Sequence, residues 1–390
     1  DAYYAELAAY PAYEKPMAAC LNGLKGEALV TSRLKGYDSV LDATLDGAMM
    51  DRATLDALLG AIRKYLPALR KYLKAKARYL GYKNGLPFWE LFAPVGKVQK
   101  TYTYDEAHEY LVEIMKTFSD EMSQFIDHAF THRWIDALPK PGKGGGAFCS
   151  GVLALRESRV LSNFTGSFSD VSTLAHELGH GFHGHCLKDE PALNTSYSMP
   201  LAETASIFNE TLVSQAALKT ADEETAFTLL EGELMEATQT VVDIYSRFLF
   251  ESEVFARRAD HSLSVDELKE IMLNAQKEAY GDGLDPEYLH PYMWQNKCHY
   301  YFADLHFYNF PYAFGLLFGR GVYELYRKEG SSFVPKYKEL LRGTGLANVA
   351  DAAALVGINV RDQAFWETSL ASLAEEADKF EALVNQRIQK

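Results

Sequence analysis

Cysteine is scarce in this chain of 390 residues. Its four copies, Cys20, Cys149, Cys186 and Cys298, lie far apart and form no Cys-x-x-Cys pair. That spacing excludes a disulfide framework and a cysteine-built zinc site, and it points to reduced thiols in a cytoplasmic protein. Basic charge is also short, with 39 Lys and Arg against 53 Asp and Glu and a formal net charge of −14. Binding to a phosphate backbone needs basic patches, so nucleic acid is excluded as the expected partner. No uninterrupted apolar run approaches the roughly 20 residues of a membrane span. No signal-like segment opens the numbering, so the expectation is a cytoplasmic chain without a membrane partner. Internal repeats and low-complexity tracts are missing too. What is present is apolar substance: 48% hydrophobic residues, including 24 Tyr and 22 Phe, enough for a sizeable core.

Hydrophobic spacing is mostly helical. Leu55, Leu58, Leu59, Ile62, Leu66, Leu69 and Leu73 recur every three or four residues, predicting a helix over 51–80 that Pro67 kinks or divides. Its basic residues, Lys64, Arg70, Lys71, Lys74, Lys76 and Arg78, read as a solvated face. An irregular stretch over 81–101 precedes a long helix expected from Tyr104 to Ala137. The clearest break is the Pro- and Gly-rich run 139–146, which reads either as a linker or, preferably, as a tight approach to a site. Short β-like stretches at 147–153 and 158–168 follow, then helices near 201–218, 223–259, 265–278, 332–343 and 362–388. The fold class is mainly α with a small β-sheet, in a single catalytic domain over 1–390.

The stretch 173–183 carries His176-Glu177-Leu178-Gly179-His180. Residues four apart on an α-helix lie one turn apart on one face, so both imidazoles can reach a single ion. Zn²⁺ accepts His nitrogens, and a catalytic site leaves one position open for water. Glu177 is placed to take a proton from that water, the zincin arrangement. A helix capped by Ser169 or Asp170 and ending near Leu187 would carry these residues. Gly179 and Gly181 weaken a helix, so small size there points to the close approach of a strand or substrate.

Two histidines leave the site short of a third protein ligand. Glu203 is the best candidate, because a carboxylate flanked by Ala202, Thr204 and Ala205 is costly to bury unless it meets a charge or metal. Glu210, seven residues on, is either the alternative ligand or a carboxylate that orients a ligating His. His183 lies about 10 Å along the helix from His176, too far to share the ion. It reads as a pocket group or a satisfied core histidine. One Zn²⁺ per chain is expected.

Specific runs then carry a resemblance. Phe148-Cys149-Ser150-Gly151, Asn163-Phe164-Thr165-Gly166-Ser167, the His176–His180 motif, and Met199-Pro200-Leu201-Ala202-Glu203-Thr204-Ala205-Ser206 look like the oligoendopeptidase F branch of the thimet oligopeptidase family. His299-Tyr300-Tyr301 and 307–315 extend the match. The resemblance implies a zincin-like, two-lobed helical metallopeptidase with a cleft between its lobes, lacking here much of the N-terminal lobe. It implies metal ligands His176, His180 and Glu203, with Glu177 as the base. Short peptides would be the substrates, bound through a sheet edge around Ser162–Phe164. It favours His299, Tyr308 and Tyr312 as oxyanion donors, with His306 competing with His299. Tyr308 and Tyr312, four apart, would face one side of a helix. Rival readings are an exopeptidase of the same fold and a non-catalytic zinc-binding interaction protein. The intact Glu177 argues against the latter.

Overall fold

A computed structural model describes residues 1–97 and 100–389. The expected irregular stretch 81–101 is seen apart from Val98 and Gln99, which lie outside the described residues. The chain forms two compact units: Asp1–Val95, Leu230–Ala313 and Leu370–Lys390 make one, and Gly96–Leu229 with Phe314–Ser369 make the other.

The first unit is helical. Its long helix, Arg52–Leu80, opens on Asp51, whose carboxylate accepts from the Thr54 amide at 2.8 Å, and stops at Gly81, whose φ of 88° only glycine adopts readily. Pro67 sits inside this helix without dividing it. Proline removes one backbone bond, but Leu66 and Leu69 on either side are fully packed and hold the turn in place. Nor is the basic face simply solvated. Lys76 is wholly buried and donates to Glu231 at 2.8 Å, and Glu231 also accepts from Tyr72. A hydrophobic core in this unit gathers Leu21, Phe250, Val254, Leu268, Ile271, Trp294 and Tyr300, drawn from helices Glu14–Leu34, Ile244–Arg258 and Val265–Tyr280 and the segment after them.

The second unit carries the sheet and the motif helix. The expected long helix over 104–137 is two helices, Tyr104–Phe118 and Asp120–Thr131. Ser119 breaks them with an extended backbone, and its hydroxyl caps the second by accepting from the Met122 amide. Apolar spacing runs through the break, which is why periodicity alone reads one helix there. Strands β1 (Ile135–Asp136), β2 (Phe148–Val152) and β3 (Glu157–Leu161) form a sheet in the order β1-β3-β2. β3 runs parallel to β1, pairing Val160 with Ile135, and antiparallel to β2, pairing Val160 with Cys149. The run 139–146 is the β1–β2 connection, inside this unit. It is tied back by Lys143 Nζ to the Asp136 and Leu138 carbonyls, and by Asn163 Nδ2 to those of Gly144 and Gly146.

The motif helix spans Phe168–Leu187. Its cap is Ser167, with Asp170 as the reciprocal partner three residues on, rather than Ser169 or Asp170 itself. Asp170 Oδ2 also accepts from the Thr165, Gly166 and Ser167 amides, fixing the chain's entry into the helix. The helix expected over 201–218 is interrupted at Glu203, between Met199–Ala202 and Thr204–Thr220. Gly179 is where the two long helices meet. A Cβ there would lie 2.6 Å from the Ala205 carbonyl oxygen and the Ser206 Cα. Gly181 instead faces Phe125 and, more distantly, Ser158 of β3.

Candidate metal centre

The helix pitch places His176 and His180 side by side, with ring centroids 4.9 Å apart and planes at 82°. Glu203 reaches them from the break between its two helices, where its backbone (φ −84°, ψ 3°) leaves the α-helical run. Its Oε2 lies 3.3 Å from His176 Nε2 and 3.5 Å from His180 Nε2. Ser206 fixes the carboxylate by donating to Oε2 at 2.8 Å. Gly315 leaves room beside it, since a Cβ there would meet the Glu203 Cβ at 2.6 Å.

These residues fit a zinc ion. Among the described residues, the one group able to hold a metal is His176, His180 and Glu203, whose ligand atoms lie within 4.8 Å of one another. Tetrahedral zinc with bonds of about 2.0–2.1 Å sets its ligand atoms about 3.3 Å apart. The two carboxylate–imidazole separations lie near that value. Glu210 approaches His176 from the other side. Its Oε2 is 3.2 Å from His176 Nδ1, the nitrogen facing away from Glu203, and its Oε1 accepts from Ser172 at 3.3 Å. A carboxylate on the far nitrogen fixes the ring's tautomer and direction.

Electrostatics follow from this packing. Burial works against the charged form of Glu203, but contacts with His176, His180 and Ser206 outweigh it and hold the carboxyl down at about 2. Burial likewise opposes charge on His176, yet Glu203 and Glu210 on its two nitrogens push it well above an ordinary imidazole. His180 goes the other way, lowered chiefly by burial. Glu177, only 6% exposed, is raised to about 7, first by burial, with His176 opposing and Glu203 and Glu210 adding to the rise. A buried carboxyl poised there can accept and return a proton near neutrality.

A cavity of about 670 Å³ opens onto this cluster, lined by His176, Glu177, His180 and Glu203 on one side and by Phe148, Cys149, Gly151 and Val152 of β2 on another. The strand edge at the cavity is therefore β2, and the expected edge at Ser162–Phe164 is corrected. The Ser162 and Phe164 amides are already spent on the Asp136 and Ala137 carbonyls. β2 pairs with β3 alone among the described residues. Tyr197, also on the cavity wall, stacks on His183 at 4.0 Å with planes 5° apart. His183 is wholly buried, contacts Thr344 through Nε2 at 2.8 Å, and is lowered to about 3 by burial, so it is a core histidine. In the sequence, nothing in the spacing of Tyr197 sets it apart from the 23 other tyrosines.

His299, Tyr308 and Tyr312 come together in the first unit. His299 lies in the turn Cys298–Tyr301 and stacks on Tyr308 at 4.4 Å, 17° from parallel. The Tyr308 and Tyr312 hydroxyls meet at 2.7 Å. The helix that contains Tyr312 begins at Phe310, so Tyr308 precedes it and the hydroxyls converge without a shared helix face. His306 is occupied elsewhere, with Nδ1 3.3 Å from Lys25 Nζ.

Comparison with known proteins bears on the family and the fold. The sequence profile of peptidase family M3 matches residues 1–372. The chain is 24% identical over 388 residues to Oligopeptidase PepF of Bacillus subtilis, covering 98% of this chain and 57% of that one. It is 24% identical to the chromosomal Oligoendopeptidase F of Lactococcus lactis, covering 92% and 59% respectively. The chain thus spans under two thirds of the length of these relatives. The crystal structure of oligoendopeptidase-F from Enterococcus faecium shares the fold, with a TM-score of 0.74 at 18% identity, over 99% of this chain and 63% of that one.

Proposed function

Because the chain belongs to peptidase family M3, we propose that it is a zinc-dependent endopeptidase that hydrolyses peptide bonds in short peptides. The observation that carries the reading is the convergence of His176, His180 and Glu203 beside the buried Glu177 in a cavity lined by the edge strand β2, which among the described residues pairs with β3 alone. Zn²⁺ bound by those three side chains would supply Lewis-acid polarisation of the scissile carbonyl and of a water. The chain's own residues do the rest. The backbone of Phe148–Val152 offers amides and carbonyls to an extended peptide, which must be unfolded to pair with them. Glu177 accepts the proton of the attacking water and returns it to the leaving amine. Glu210 keeps His176 turned toward Glu203. The neutral donors His299, Tyr308 and Tyr312 are assigned to the oxyanion on the strength of the family pattern.

The test is cleavage of a quenched-fluorescent peptide library by the purified chain, with chelator and with Zn²⁺ restored. Internal cleavage that stops on chelation and returns with Zn²⁺ is expected. Strict dependence on a free terminal carboxylate or amine would replace the reading with an exopeptidase. Cleavage unaffected by chelation would remove the metal from it.

A further inference from the structure

Beneath the His299–Tyr308 pair lies a buried charged group that the proposed chemistry leaves unused. Lys25 is wholly buried and Glu251 is 4% exposed. Lys25 Nζ donates to Glu251 Oε1 at 2.6 Å and to His306 Nδ1 at 3.3 Å, and it lies 6.0 Å from the Tyr300 ring centre. The other carboxylate oxygen, Glu251 Oε2, accepts from the Phe307 amide at 2.9 Å. Phe307 holds φ at 53°, a left-handed conformation that a bulky residue keeps only where its surroundings impose it. Its ring is packed between Phe248 and Phe255. Glu251 thus pins the amide of this left-handed residue. The next residue is Tyr308, delivered to the face of His299 and to the hydroxyl of Tyr312. Lys25 ties the same carboxylate to both neighbouring segments, through His306 on one side and through Tyr300, next to His299, on the other.

We propose that the Lys25–Glu251 pair is a positioning device for the reaction: by holding the Phe307 amide it sets the place of the Tyr308 hydroxyl and the His299 ring. The proposal rests on the reading of Tyr308 as an oxyanion donor. A buried ion pair is costly to assemble, and packing alone would be served as well by apolar side chains of similar volume. Here both carboxylate oxygens are committed, one to the cation and one to a strained turn. That arrangement specifies a local geometry rather than merely filling space.

The experiment compares the zinc-loaded parent with Glu251→Leu and with the double variant Lys25→Met/Glu251→Leu, each also combined with Tyr308→Phe. Leucine keeps much of the volume but can accept from neither partner, and the double variant removes both charges so that none is left buried alone. Expected are unchanged zinc content, kcat lowered by about 10²-fold with KM nearly constant, and little further loss when Tyr308→Phe is added. Phe307 should exchange its amide hydrogen slowly in the parent and much faster in the variants. Parental kcat in a folded Lys25→Met/Glu251→Leu, while Tyr308→Phe alone is impaired, would overturn the positioning role. So would full additivity of the two changes, or open-loop exchange at Phe307 in the parent, which can be read even if no variant folds. Parental kcat in Tyr308→Phe would instead overturn the reading of Tyr308 and this role with it.

Discussion

The histidine–carboxylate cluster of the second unit and the aromatic cluster of the first are built by opposite means. In the former, a regular helix sets the spacing of His176 and His180, and two carboxylates are brought to opposite nitrogens of one imidazole. In the latter, no repeat governs the geometry. A short turn, a left-handed phenylalanine and a stacked ring bring two hydroxyls together. Chemistry that must hold an ion benefits from rigid pitch and strong charges. Chemistry that must meet a transient oxyanion asks only for neutral donors at the right place, and a well-packed loop can supply those.

Substitutions can break or sharpen that contrast. The largest effect is expected from Glu177→Gln. The amide cannot take a proton at neutral pH, so kcat should fall by about 10²–10⁴-fold with metal content at one per chain. Near-parental cleavage by the purified variant would remove Glu177 from the chemistry. Next come Tyr308→Phe and Tyr312→Phe, which delete a hydroxyl and keep the ring. Loss of a true donor lowers kcat by about 10²–10³-fold with zinc retained. If both variants turned over peptides at the parental rate, the aromatic cluster would be packing alone and the contrast would collapse. Smaller again, Glu210→Ala should weaken metal affinity by about 10–100-fold, as loss of an orienting carboxylate does. Glu203→Ala, assayed beside it by metal analysis, should lose stoichiometric binding. The reverse ranking would exchange the two roles. The smallest effect belongs to Ser167→Ala, which removes the motif helix's cap and should cost about 0.5–2 kcal/mol in denaturant unfolding.

How far each region could be read in advance follows from the same contrast. The two histidines, Glu177 and the helix beneath them declare themselves by spacing, because helical pitch converts a sequence interval into a direction. Glu203 was legible through its apolar neighbours, but the break at its backbone was not, since Ala202, Thr204 and Ala205 all sit comfortably in helices. The division at Ser119 was hidden for a similar reason: a serine can cap one helix as easily as it can lie within another, and only tertiary packing decides. The sheet was visible as short β-like runs, while its order was not. The two-residue β1 leaves no periodic trace, yet it and Ala137 just after it take up the amides that the Ser162–Phe164 edge would have needed. Tyr308 and Tyr312 converge as their interval suggests, although by way of a turn and not a helix face.

The contact at Gly179 has a consequence of another kind. The motif helix and the helix after Glu203 touch backbone to backbone there, and the three candidate ligands are divided between that first helix and the residue that opens the second. An ion held by all three would act as a clasp across the seam, inaccessible to the unfolded chain. Under the proposed assignment, every tenfold excess of free metal over its dissociation constant adds about 1.4 kcal/mol to the stability of the joined pair. Metal supply would then govern how long the folded chain persists as well as how fast it works, and a melting curve taken across a zinc titration would report the occupancy of the site without any substrate.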